Sequence, residues 1–294
     1  MRVPDNMRFQ TAILAQQRAG ERVQQGSKVA SSGLRVAAPS DDPAAYARMT
    51  SLDGQIATLD ARKSSATQAA GDLDLAEGTL SSASSLFDRA RELAVQMANG
   101  SMTAVQRLDA ATEVKGLRDS LLGIANTKGA TGYIFGGSKT DTAPFDATGT
   151  FQGNDTGLRV EIANGTTVRA NASGQDAFTA AAGGKDAFKV LDDFAKALAT
   201  NNVAGVQSSI DEVEKARAQI VGARADVGLM ADRFHSALDV MSQALTSVKT
   251  VRADTVEADA PTAYAWLIDA QAAYERSISV ARKILSLSTS STSG

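Results

Sequence analysis

The sequence predicts a mainly α protein with a small β insertion. The expected architecture is a long antiparallel helical rod or bundle, with terminal helices forming a coiled coil and an outer domain that contains a β-hairpin. Three observations carry this. Apolar residues recur at alternating spacings of four and three over most of the chain. Only 5 prolines interrupt 294 residues, which leaves room for long helices. One segment alone changes period, from heptads to strict alternation around Asn164-Gly165.

The N-terminal stretch carries half a stripe. Phe9, Ile13, Val23, Ala30 and Leu34 are apolar, whereas Gln16, Gly20 and Ser27 on the same spacing are not. Such a helix does not offset its own ordering entropy without a partner. The first strong helix starts at SDDPAAY, with Asp42 as N-cap and Pro43 at the first helical position. Its stripe runs Ala45, Met49, Leu52, Ile56, Leu59, Ala66, Ala70, Leu73, then slips in phase and resumes as Ala76, Leu80, Ala83, Phe87, Ala90, Ala94, Met97. The slip is a stammer, and the helix is on the order of 80 Å long at ~1.5 Å per residue. Asn99-Gly100 ends it. Thr103 and Gln106 form a capping box that opens a return helix with Val114, Leu117, Leu121 and Ile124 on one face.

Residues 131–185 read as a β-rich outward insertion. Leu158, Val160 and Ile162 alternate with Arg159 and Glu161, and Val168 and Ala170 continue beyond Asn164-Gly165, a strong hairpin signal. Asp186 then caps a short helix bearing Phe188, Leu191 and Phe194. A second long helix follows from about Val203, with Val227, Ala231, Phe234, Leu238, Met241, Leu245 and Val248 in register. Pro261 interrupts it. The rhythm restarts at Tyr264, Leu267, Gln271, Tyr274, Ile278, Ala281 and Leu285, and the polar tail STSSTSG reads as disordered. The division is therefore 1–40 with 251–294 as terminal coiled-coil segments, 41–130 with 186–250 as a helical rod, and 131–185 as the insertion. Phe9, Ile13, Val23 and Leu34 are the expected N-terminal assembly seam. Tyr264, Leu267, Tyr274, Ile278 and Leu285 are the C-terminal one.

Composition narrows the function. Aromatics are 5% of the chain with a single Trp, too few for an ordinary pocketed domain. A net charge of −3 offers nucleic acid no electrostatic footprint. With no cysteine, thiol catalysis, disulfides and Cys-containing zinc sites are excluded. No apolar run approaches a membrane span, and the start has no signal-peptide core.

The stretch GYIFGGSKTDTAPF, residues 132–145, spaces Gly132 and Gly137 like a phosphate-binding loop, but Ser138 stands where the lysine belongs. It follows a helix and precedes turns, whereas a phosphate loop follows a strand and opens a helix. The better reading is that Gly136-Gly137 turn the chain while Tyr133, Phe135, Phe145 and Phe151 anchor the insertion. His235 is the only histidine, so no second His or Cys completes a metal set with it, and a Ser-His-Asp triad would have to use it on a rod-like helix with no G-x-S-x-G elbow in the chain. Asp41-Asp42 and Asp192-Asp193 fall near helix starts, and Asp72 and Asp74 are two apart on a helix, off a common face. No catalytic, cofactor or metal site emerges.

Three blocks carry a family resemblance: SSGLRVAAPSDDPAA at 31–45, GYIFGGSKTDTAPF with the following FQGNDTGLRVEI, and IVGARADVGLMADRF at 220–234. Together they resemble the flagellin superfamily, and within it the hook-associated protein 3 family. The polar tail and Pro4-Asp5 depart from that pattern. The resemblance implies a structural adaptor, not an enzyme, that joins the flagellar hook to the filament and needs no cofactor. It implies export unfolded through the flagellar type III channel without a cleaved signal, and an extracellular place at the hook-filament junction. The end segments would order only on assembly. The implied partners are further copies of itself in a ring, the preceding hook-associated protein, flagellin, and a cytoplasmic export chaperone holding the C-terminal segment, with no nucleic acid and no membrane. Flagellin itself, the filament subunit, is the alternative.

Overall fold

In the computed structural model of the chain, residues 3–290 are described, and they form two compact units. One comprises Met1–Thr58 with Leu245–Gly294, the other Leu59–Ala244. Seven α-helices order the described residues: α1 Val3–Ser32, α2 Pro43–Met97, α3 Ala104–Ala125, α4 Gly174–Phe178, α5 Ala187–Ala199, α6 Val203–Val256 and α7 Ala260–Ser290. Four short strands form two antiparallel pairs, β1 Lys128–Gly129 with β2 Gly132–Tyr133 and β3 Arg159–Ala163 with β4 Thr166–Arg169. The fold is thus mainly helical with a small β portion, as the periodicity predicts.

Within the second unit, α2 and α6 run antiparallel. Polar contacts cross between them in descending register: a hydrogen bond of Asp74 with His235, then ion pairs of Glu77 with Arg224, Asp88 with Arg217, and Arg91 with Glu214. Beneath these pairs the expected stripe is buried, from Ala66, Leu73, Leu80 and Phe87 on α2 to Val227, Ala231 and Phe234 on α6, and Ile220 of α6 is buried with it. The α3 helix begins with the capping box, in which Thr103 Oγ1 accepts from the Gln106 amide and the Gln106 side chain accepts from the Thr103 amide. Asp186 caps α5 by accepting from the Lys189 amide at 2.9 Å. An α3–α5 pair, held by Arg118 and Asp192, completes a four-helix core.

The insertion rests on this core through rings. Phe145 lies 5.7 Å from Phe178, 5.2 Å from Phe151 and 5.3 Å from Phe188, and Phe178 meets Phe135 edge to face at 5.3 Å. Those separations are the favoured geometry for aromatic pairs. Tyr133 sits apart, under the Lys128 ammonium at 4.6 Å. The 132–145 stretch is a turn: Gly137 has φ 71°, and a methyl there would lie 1.9 Å from the Asn154 carbonyl oxygen. Its donors are already used, since the Ser138 amide donates to Asn154 Oδ1 and Lys139 Nζ to the Gln152 carbonyl.

Two polar side chains fix the loops to the helices. Asp72, buried in the middle of α2, accepts from the Ala130 amide at 2.9 Å and the Thr131 hydroxyl at 2.5 Å. Gln219 of α6 accepts from the Lys185 amide and donates to the Asp176 and Thr179 carbonyls.

Pro261 does not make the break expected of it. The helix stops at Val256, and Pro261 is the second residue of α7, capped by Asp259 through the Thr262 amide. A missing N–H costs nothing in a first turn. The tail expected to be disordered is helical to Ser290, and residues 291–294 lie outside the described ones.

Arg107 is 3% exposed and faces carbonyls instead of a carboxylate. It donates to Met97 O at 3.0 Å, Asn99 O at 2.9 Å and Asn201 Oδ1 at 2.6 Å, closing the C-terminal end of α2. A cation complements that end of the helix dipole. Arg107→Met leaves the buried Met97 carbonyl unpaired, so it lowers stability by about 1–3 kcal/mol. Urea unfolding reads this as a lower midpoint at unchanged slope.

Candidate assembly interface

In the first unit α1 packs against α7. The buried positions of α1 are Ala12, Ala19 and Gly26, one heptad apart, and those of α7 are Ala263 and Ala270, again one heptad apart. Gly26 faces Trp266 and Leu267, and Gly20 faces Tyr274, so the two helices run antiparallel. The seam is narrow because its side chains are small. A methyl on Gly26 would lie 3.2 Å from the Trp266 ring and 3.3 Å from Leu267 Cα, which places the α7 backbone itself against α1.

Several large apolar side chains of the same helices remain exposed. Met7, Phe9, Ile13 and Leu14 of α1, and Tyr264, Trp266, Ile268 and Val280 of α7, are all more than a third exposed. Of the residues expected to form the seams, Phe9, Ile13 and Tyr264 are exposed, while Val23, Leu34, Leu267, Tyr274 and Ile278 are half-buried. The side chain of Leu285 lies outside the described residues. The described residues thus show a close contact in which Trp266, Leu267 and Tyr274 lie on Gly26 and Gly20, beside large apolar side chains that the pair leaves exposed. The Ala12-Ala19-Gly26 repeat was missed because a search for large apolar residues passes over alanine and glycine. The seven-residue spacing itself was there to be read.

The connections at the base of these helices interlock. Gly33, at φ 69°, ends α1, and its carbonyl accepts from the Ala258 amide. Leu34 bridges Glu257, the Arg35 amide donates to Val256 O at 2.7 Å, and the Arg35 guanidinium donates to Thr255 O at 2.7 Å. Val36 and Val256 are fully buried beside this ladder. Asp41 accepts from the Ala37 and Ala38 amides, which holds its carboxyl below the ordinary 3.8, with Lys28 nearby adding to the effect. Asp42 accepts from the Ala45 and Ala44 amides and pairs with Arg35, and is likewise lowered, chiefly by the Ala45 amide. Asp259 is lowered by the Thr262 hydroxyl and amide. The block SSGLRVAAPSDDPAA is therefore a crossover: a left-handed glycine, a buried valine, and carboxylates that terminate one chain direction and start the next.

Comparison with known proteins agrees with this architecture. Residues 5–140 match the family model of the bacterial flagellin N-terminal helical region. Flagellar hook-associated protein 3 of Escherichia coli is 37% identical over 147 residues, covering 47% of this chain and 46% of that protein. The alignment thus spans about half the length of the curated relative. A solved structure titled as a putative flagellar hook-associated protein from Vibrio parahaemolyticus superposes with a TM-score of 0.67 at 25% identity, over 74% of this chain and 100% of that one. FlgL of Xanthomonas campestris gives a TM-score of 0.62 at 21% identity, over 69% and 99%. The chain is flagellin-like, and the likeness to hook-associated protein 3 read from its residues is borne out.

Two outcomes follow from the geometry of this unit. Gly26→Leu inserts a side chain where the α7 backbone leaves no room, so it forces α1 off α7. Emission from Trp266, the only tryptophan, then moves to longer wavelength. The second concerns acid. Carboxyls lowered in the folded state contribute stability that is complete above their unfolded value of 3.8 and lost as pH falls through the lower folded value. Acid titration followed at Trp266 shows a transition below pH 3.8, and its size shrinks in Asp41→Asn and Asp42→Asn.

Proposed function

We propose that this chain is a structural subunit of the bacterial flagellum, an adaptor joining the hook to the flagellin filament by coupled folding and assembly of its terminal helices. The observation that carries the reading is the open apolar face of α1 and α7, from Phe9 and Ile13 to Tyr264, Ile268 and Val280, on a helix pair whose buried positions among the described residues are all alanine or glycine. Exposed apolar area of this kind marks a surface that a partner covers. A pair that fully buries only alanine and glycine gains its remaining order on contact with a neighbour. Phe9, Ile13, Val23 and Leu34, with Tyr264, Leu267, Tyr274, Ile278 and Leu285, are the proposed assembly seams. Tyr133, Phe135, Phe145 and Phe151 anchor the insertion, and residues 131–185 project outward.

On this reading the partners are further copies in a ring, the preceding hook-associated protein on one side and flagellin on the other. A cytoplasmic chaperone holds the C-terminal segment before export, and the chain leaves the cell unfolded without a cleaved signal to act at the hook-filament junction. The likeness to proteins named hook-associated protein 3 supports the adaptor over the filament subunit. Absence of catalysis fits a molecule whose buried polar groups, Asp72 and Arg107 among them, are spent on loops and helix ends.

Deletion of the gene separates the readings. Loss of an adaptor leaves intact hooks without filaments and flagellin free in the medium. Normal filaments overturn the proposal, and loss of the major filament protein itself identifies the flagellin alternative.

A further inference from the structure

The chain contains two Asn-Gly dipeptides, Ala98-Asn99-Gly100-Ser101 and Ala163-Asn164-Gly165-Thr166, and they sit in different chemical surroundings. Asn164-Gly165 is the β3–β4 turn, exposed, with Gly165 at φ 71° and nothing within 4 Å of the space a methyl would fill. The Gly165 amide donates to Glu161 Oε1 at 3.2 Å. Asn164 Oδ1 accepts from the Arg62 guanidinium of α2 at 2.9 Å, and the same guanidinium nitrogen lies 3.0 Å from Glu161 Oε1. A carboxylate thus touches the N–H of one residue, and a cation touches the carbonyl oxygen of the side chain beside it.

The geometry points to a self-modification site: Glu161 and Arg62 promote conversion of Asn164 to a succinimide and then to aspartate or isoaspartate. The Gly165 backbone nitrogen attacks Asn164 Cγ while its proton passes to the Glu161 carboxylate. Arg62 holds the oxyanion that forms on Oδ1. The Cγ–Nδ2 bond then breaks, and the proton held by Glu161 leaves with the nitrogen as ammonia, which closes the imide ring. Water opens the ring at either carbonyl. No oxidant or reductant takes part. Aspartate at 164 gives Arg62 a second carboxylate to pair, and isoaspartate lengthens the turn by one backbone carbon.

The other dipeptide is the internal reference. The Asn99 carboxamide oxygen accepts from the Ser101 amide and hydroxyl, both uncharged. Purified full-length protein is incubated at pH 7.5 and about 37 °C, and peptide mass spectrometry follows loss of ammonia and the later gain of water at each site. In the native protein, modification at Asn164 outpaces that at Asn99 by about tenfold, and in 8 M urea, where neither site keeps its surroundings, the ratio falls towards one. Arg62→Met and Glu161→Gln each bring the native ratio down several-fold while the Asn99 rate stays put. A native ratio at or below that in urea overturns the assignment, as does an unchanged ratio in either variant.

Discussion

A helix whose buried face is largely alanine can be stabilised by packing only if the neighbouring backbone comes close. An alanine methyl buries little area, and the gain from burial scales with area. This constraint governs the helix pairs of this protein. In α2 the inward positions include Ala66, Ala70, Ala76, Ala83, Ala90 and Ala94, and in α6 Ala216 and Ala231 answer them. Between α1 and α7 the buried positions are Ala12, Ala19, Gly26, Ala263 and Ala270, with Trp266 and Leu267 laid on Gly26 and Tyr274 on Gly20. Close approach leaves no space for misplaced bulk, and in α1 and α7 it leaves several of the larger side chains exposed.

Close helices also leave few interior sites for polar groups, so the polar side chains that are buried have defined tasks. Asp72 replaces the solvation of a loop amide, Arg107 donates to the carbonyl end of α2, and the half-buried Gln219 satisfies carbonyls around α4. Each joins a helix to a segment that has little regular structure of its own. The short strands contribute few ladder hydrogen bonds, so the insertion's position depends on these pins and on the Phe135, Phe145 and Phe178 rings. Removing one partner of such a contact costs more than the contact itself is worth, because the other partner stays buried.

The helical frame was legible because its signals are local. Asp42-Pro43, the Thr103–Gln106 box and Asp186 all act within one turn of where they stand, and the heptad register of Leu73, Leu80 and Phe87 survives into the folded core. What was not legible depends on pairs distant in sequence. Asp72 looked like half of an acidic pair with Asp74, yet one holds the 130–131 loop and the other faces His235 across the bundle. Arg35 reads as an ordinary surface cation until residue 255 is placed beside it. Phe178 joins the ring cluster from a five-residue helix too short for any periodicity to announce. The Pro261 break was misplaced by a few residues because proline punctuates a helix on either side of its start.

The two units differ in how much they can hold by themselves. Every one of the largest fully buried side chains, seven phenylalanines and five leucines, lies between residues 73 and 234, inside the second unit. The first unit buries Ala12, Ala19, Leu52, Leu245, Ala263 and Ala270 with two valines at the crossover. Burying a Phe or Leu contributes about 1.5–3 kcal/mol against well under half that for an alanine methyl. The entropy of ordering a helical residue, however, is the same in either place. Local opening therefore starts in the first unit and leaves the second intact. A neighbour that covers Phe9, Ile13, Tyr264 and Ile268 adds to the first unit the large-side-chain burial it lacks. Binding to the folded form alone shifts a folding equilibrium by mass action, so any such neighbour would stabilise the helices it covers.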